Sequence, residues 1–205
     1  MLDCVMAQGD ERSRVREAAK RTLVGGQLLL WAGELAPGRV VTVAQVEGAR
    51  ARRALGWPEL LADWSEIHET RPYPGEATPA LAQQLSALGV PAFAVAFDGA
   101  RAAAAVAWFE GGALISLEHV GEATVAWTPE EGLGRPRMAG VRGGLMAAAR
   151  SLGGEETILD RIEAQHAAGS RAIVERALVR LCDRPPAIDE FAGWLALQVP
   201  ERLYL

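Results

Sequence analysis

Residues 91–127, PAFAVAFDGARAAAAVAWFEGGALISLEHVGEATVAW, read as four short strands joined by tight turns. No other stretch narrows the possible folds as much. Asp98-Gly99 is the dipeptide favoured by a two-residue type I′ hairpin, because both turn positions need positive φ. Gly111-Gly112 and Gly121 punctuate the chain at intervals of about ten residues, the spacing of a meander. Phe93, Val95 and Phe97 alternate with Ala92, Ala94 and Ala96, and Val106 and Trp108 alternate with Ala105, Ala107 and Phe109. One sheet face is therefore bulky and the other small. A small face admits a closely packed helix; it also suits an exposed surface or a partner's seat. Alanine is a poor strand former, so the pattern fixes the sheet's existence more firmly than its register.

The flanking sequence predicts helices and one further hairpin. The charged run 10–22 reads as a first helix. Residues 27–35 and 39–46 flank Ala36-Pro37-Gly38 and suggest a hairpin. Residues 39–55 also admit a rival: Thr42-Val43-Ala44-Gln45 fits a capping box that would start a helix running to Leu55. The alternation of Val40, Thr42, Ala44 and Val46 with Val41 and Val43 favours the strand. Pro58–Glu69 places Leu60, Leu61, Trp64, Ile67 and His68 on one helical face. Thr78-Pro79 opens a helix that ends at Gly89. From Val141 onward apolar residues recur at helical spacing, in segments near 143–152, 155–168, 170–182 and 187–198, with breaks at Gly153-Gly154, Gly169-Ser170 and Pro185-Pro186. Ser170 reads as an N-cap. The expected fold is α+β: an antiparallel meander over about 91–127 packed with helices, then a helical C-terminal third. Residues 1–140 form the sheet-bearing domain, and 141–205 form a helical segment packed on the same domain. This order of elements resembles that of profilin-like and roadblock-like domains, a resemblance that implies a sheet architecture and nothing about activity.

The chain has 205 residues, half of them apolar, enough for one real core. Its formal net charge of −5 argues against a nucleic-acid partner, which a basic stripe would mark. No window reaches 18 apolar residues, so no membrane span is expected. The first residues, MLDCVMAQGDERSR, lack the apolar core of a signal peptide. Cys4 and Cys182 are far apart and form no C-x-x-C, so free thiols and a reduced cytoplasm are expected. One lysine, Lys20, among many arginines and alanines suggests a high-GC bacterial coding sequence.

The candidate sites are few. Gly132–Gly144, GLGRPRMAGVRGG, carries Arg135, Arg137 and Arg142 with no acidic residue. Glycines let backbone N–H groups converge, so these arginines with Gly143 and Gly144 form a candidate anion site. The plainer reading is a solvated linker. Neither a Walker A lysine nor a dinucleotide fingerprint is present. Trp57, between Gly56 and Pro58, is a candidate partner anchor, or else a staple on the helix that follows. Glu163 and His166 have the i, i+3 spacing of carboxylate-bridged metal bundles, but no second copy exists. His68, His119 and His166 would have to converge to bind a metal, and no cofactor is expected. Ser65, Ser86, Ser116, Ser151 and Ser170 lack the G-x-S-x-G elbow. Cys182 ends an apolar helix and reads as a buried thiol. Glu59, Asp63, Glu66, Glu69 and Glu76 read as a solvated acidic face. With no coherent catalytic constellation, the expectation is a non-catalytic interaction or regulatory protein whose partner is another protein or a second copy. The alternative is a small-molecule or anion-binding module using 132–144. A hydrolase or transferase with an unrecognised site is third.

Overall fold

Alternation along 92–109 becomes two buried faces of one sheet. The computed structural model describes residues 2–52, 77–99, 102–120, 125–127, 156–182 and 187–205. Its elements are β1 (Leu2–Gln8), α1 (Arg12–Thr22), β2 (Leu23–Val24), β3 (Gln27–Ala36), β4 (Arg39–Glu47), β5 (Arg50–Ala51), α2 (Ala77–Ala87), β6 (Ala92–Asp98), β7 (Ala103–Glu110), β8 (Ala113–Val120), β9 (Val125–Trp127), α3 (Glu156–Leu181), α4 (Ile188–Ala196) and β10 (Glu201–Tyr204). Among the described residues, eight strands form one antiparallel sheet in the order β10-β3-β4-β1-β6-β7-β8-β9, and β2 and β5 pair separately.

Both faces of the sheet carry helices. On one side Ala92, Ala94, Ala96, Ala103, Ala105 and Ala107 are buried together with Val15, Ala18 and Ala19 of α1 and Leu81, Ala82 and Leu85 of α2. The small face is thus covered by the chain's own helices, and it is not a partner's seat. On the other side Phe93, Val95 and Val106 join Cys4, Met6, Trp31, Val41 and Val43 beneath α3 and α4. The register sets Phe93 opposite Trp108 and Val95 opposite Val106. The Phe93 and Trp108 rings lie 4.2 Å apart at 38°. Burying each such large side chain contributes about 1.5–3 kcal/mol.

The meander stands as expected, as part of this wider sheet, but its turns are exchanged. Asp98 is still strand, paired with Ala103, so residues 99–102 link β6 and β7. Among the described residues of that link Ala102 is left-handed, at φ 52, and its N–H bonds the Gly99 carbonyl. The two-residue hairpin with both φ positive, the type I′ sign pattern, is Gly111-Gly112 (56° and 84°) between the paired Glu110 and Ala113. Two side chains of α2 hold that turn in place. Ser86 Oγ accepts from Gly112 N at 3.0 Å and donates to Gln83 O, and Gln83 Nε2 donates to Gly112 O.

Residues 39–47 are strand, and Thr42 explains why a buried hydroxyl sits in it. Its Oγ1 accepts from Glu11 N and donates to Gly9 O, both at 2.7 Å, tying the β1–α1 connection to β4. Residues 27–36 and 39–47 form the expected hairpin, with a register irregularity between Glu34 and Ala36.

Three features depart from the sequence reading. Leu2–Gln8 is a central strand, paired with both β4 and β6. The helix does not break at Gly169-Ser170: α3 runs from Glu156 to Leu181, and Ser170 lies buried inside it and is no N-cap. Residues 201–204 return as a strand against β3, so the C-terminal third is not wholly helical. Among the described residues, no helix is long and apolar enough to cross a membrane.

Candidate functional site

Arg135, Arg137, Arg142, Gly143, Gly144 and Trp57 all lie outside the described residues, as do His68 and the acidic run 59–76. His119 lies on β8 and His166 within α3. Among the described residues, no group of three His, Cys, Asp or Glu side chains is arranged to hold a metal ion.

The two cysteines are free, and both are buried in the core beneath α3 and α4. Burial pushes the Cys4 thiol far up, and the neighbouring Asp3 charge adds to the shift. Burial also raises Cys182, against a lowering by Arg39. Thiols held protonated in this way are poor nucleophiles. Ser86 is engaged in holding a turn and is equally unsuited to attack.

Where α4 hands over to β10, the chain exposes apolar side chains. Trp194 anchors this corner: its ring stacks on Phe191 at 6.1 Å, and its Nε1–H donates to Glu34 O at 3.0 Å. Gln198 then lies over Gly33, with its Oε1 3.3 Å from where a Cβ would stand. The apolar residues on either side turn to solvent: Leu197 is 89% exposed and Val199 96%. β10 follows, with Leu203 opposite Leu28 and Arg202 opposite Leu29. Glu201 and Leu203 share the α1 side, where Glu201 pairs with Arg16. Arg202 and Tyr204 share the opposite side, and Tyr204 is 78% exposed. β10 is the last strand on its side of the sheet, so its outer edge has no strand partner among the described residues.

A second feature is a cleft of about 210 Å³ under the C-terminal half of α3. The sheet supplies Phe93, Val106, Ser116 and Glu118, and the helix faces them with Ile173, Arg176, Ala177 and Arg180. Arg176 forms an ion pair with Glu118 across the mouth. Elsewhere Arg171 binds Asp189 at 2.9 Å and joins α3 to α4, and that carboxylate raises the arginine's pKa.

Sequence reasoning passed over both features. Leu197 and Val199 look like any apolar residues near a helix end, and the cleft joins residues from Phe93 to Arg180 that share no local pattern.

No family model matches this chain, and neither a curated protein nor a solved structure matches it. The resemblance to profilin-like and roadblock-like domains therefore remains one of element order.

Proposed function

We propose that this chain is a non-catalytic protein-interaction protein, regulatory in role and working in a bacterial cytoplasm, and that it docks through the sheet edge at β10. The observation that carries the reading is the exposure of Leu197, Val199 and Tyr204 within one short segment beside an open strand. Large apolar side chains clustered at a surface mark interaction sites. An open edge adds a row of backbone donors and acceptors that a second chain can satisfy.

The occupant is a second copy of the chain. A two-fold axis normal to the sheet at Leu203 pairs β10 with its own symmetry mate. Arg202 then lies opposite Tyr204 of the second copy, twice, on the same face. Guanidinium over a phenol ring is a favourable cross-strand contact. Such a contact is isologous and closes after two copies. Pro200 and the four-residue length of β10 keep the pairing from extending.

Light scattering over a concentration series tests this. The parent is expected to move from monomer to dimer mass, and the double variant Val199→Asp, Tyr204→Asp to remain monomeric with an unchanged melting temperature. A parent that is monomeric throughout, or a variant that associates equally well, sinks the docking edge.

A further inference from the structure

The cleft under α3 is a different surface from the β10 edge, and its chemistry points to a small molecule. Its apolar lining comes from Phe93, Val106, Ile173, Ala177 and Val179, of which Val179 is the most open at 41% exposed while the others show only their edges. Its rim is cationic. Arg176 and Arg180 stand one turn apart on α3, so both guanidinium groups reach the same mouth. Arg176 already holds a carboxylate, that of Glu118. Arg180 is exposed and has no hydrogen bond or ion pair among the described residues. Ser116 adds a hydroxyl to the wall.

We propose that this cleft binds a small carboxylate with an aromatic or branched aliphatic body. The body rests against Val179 and the edges of Phe93 and Ile173, and the carboxylate takes Arg180 in the forked geometry that guanidinium offers. The Glu118–Arg176 pair shows the same contact made within the chain. At about 210 Å³ the cleft lies below the roughly 300 Å³ at which pockets for drug-sized ligands begin, so the ligand is of metabolite size. A bare inorganic anion leaves the apolar floor without a partner and is disfavoured. An uncharged analogue leaves Arg180 without one.

The experiment is a titration of the whole chain followed by backbone amide chemical shifts, using 3-phenylpropionate, 3-phenylpropanamide and inorganic phosphate as probes. The acid is expected to give saturable shifts at 116–118 and 173–180. The amide is expected to bind about tenfold more weakly, the loss expected for one charge-assisted contact. Phosphate is expected not to shift these amides. Arg180→Ala, at an exposed position, is expected to fold normally and to weaken the acid about tenfold. The proposal is overturned by any of four results: no saturable shift with the acid, equal binding of the amide, phosphate binding as tightly as the acid, or an Arg180→Ala variant that binds like the parent.

Discussion

On the α1/α2 side, β6 and β7 present Ala92, Ala94, Ala96, Ala103, Ala105 and Ala107, with Phe109 beside them, to α2, which buries Leu81, Ala82 and Leu85 there. On the α3/α4 side, the same strands present Phe93, Val95 and Val106, and α3 brings Ile173, Leu178 and Leu181 against them. In the first layer the strands contribute mostly small side chains, which lose little entropy on burial, and the helix supplies the bulk with Leu81 and Leu85. The second gains stability from large buried area. The cleft lies on that second side. A strand's two faces can thus solve the packing problem by opposite means, and ligand-sized space arises on the bulky one.

The contrast can be broken most severely at Val106, 6% exposed beside α3. Val106→Asp puts a charge into the bulky core, opposite the Glu118 carboxylate, and should cost about 3–5 kcal/mol, lowering the melting temperature by about 10 °C. A variant that melts like the parent would show that Val106 does not face the core. Ala94→Leu probes the opposite face, where Ala94 is fully buried. Overpacking there should cost about 1–3 kcal/mol in a denaturant titration. Absence of a cost would mean that α2 does not sit close on the alanines.

The mildest test concerns the thiols, both on the bulky side. Burial raises their folded pKa above the ordinary 9.0. Below 9.0 both states are protonated and the contribution of the buried thiols is complete. As pH climbs past 9.0 the unfolded thiols ionise while the folded ones do not, so stability falls with rising pH. Urea titrations from pH 7 to 10 should show this decline, and Cys4→Ala should flatten it. Thiol titration without reductant should find two groups after unfolding and almost none before. An alkaline slope unchanged by Cys4→Ala would separate the decline from this residue.

Legibility in the sequence followed locality. The meander and the 27–47 hairpin were readable because their alternation and turn residues sit within ten positions of each other. β1 was not, because Cys4, Val5, Met6 and Ala7 are all buried, on two faces, and such a run shows no period of two. β10 has charges at half its positions and is strand only because β3 offers it an edge. Asp98-Gly99 has the composition of a type I′ turn, yet pairing with Ala103 holds Asp98 in the strand, and Gly111-Gly112 meets the same φ demand without a Cβ. Gly169 costs α3 about 1 kcal/mol relative to alanine, too little to break a 26-residue helix packed on β7. The exposed edge and the cleft were illegible for a related reason: both are relations between distant residues, Trp194 with Glu34 and Arg180 with Phe93.

β1 comes first among the elements, yet it lies in the middle of the sheet, between β4 and β6. On the ribosome it emerges tens of residues before β4 and still further ahead of β6. At about 5–20 residues per second, the wait until Asp98 is made is on the order of 5–20 seconds. The local hairpins assemble without it, but they remain separate. Leu2–Gln8 is the seam along which β10-β3-β4 and β6-β7-β8-β9 become one sheet, so lesions in this strand should unzip the molecule into two halves with raw inner edges.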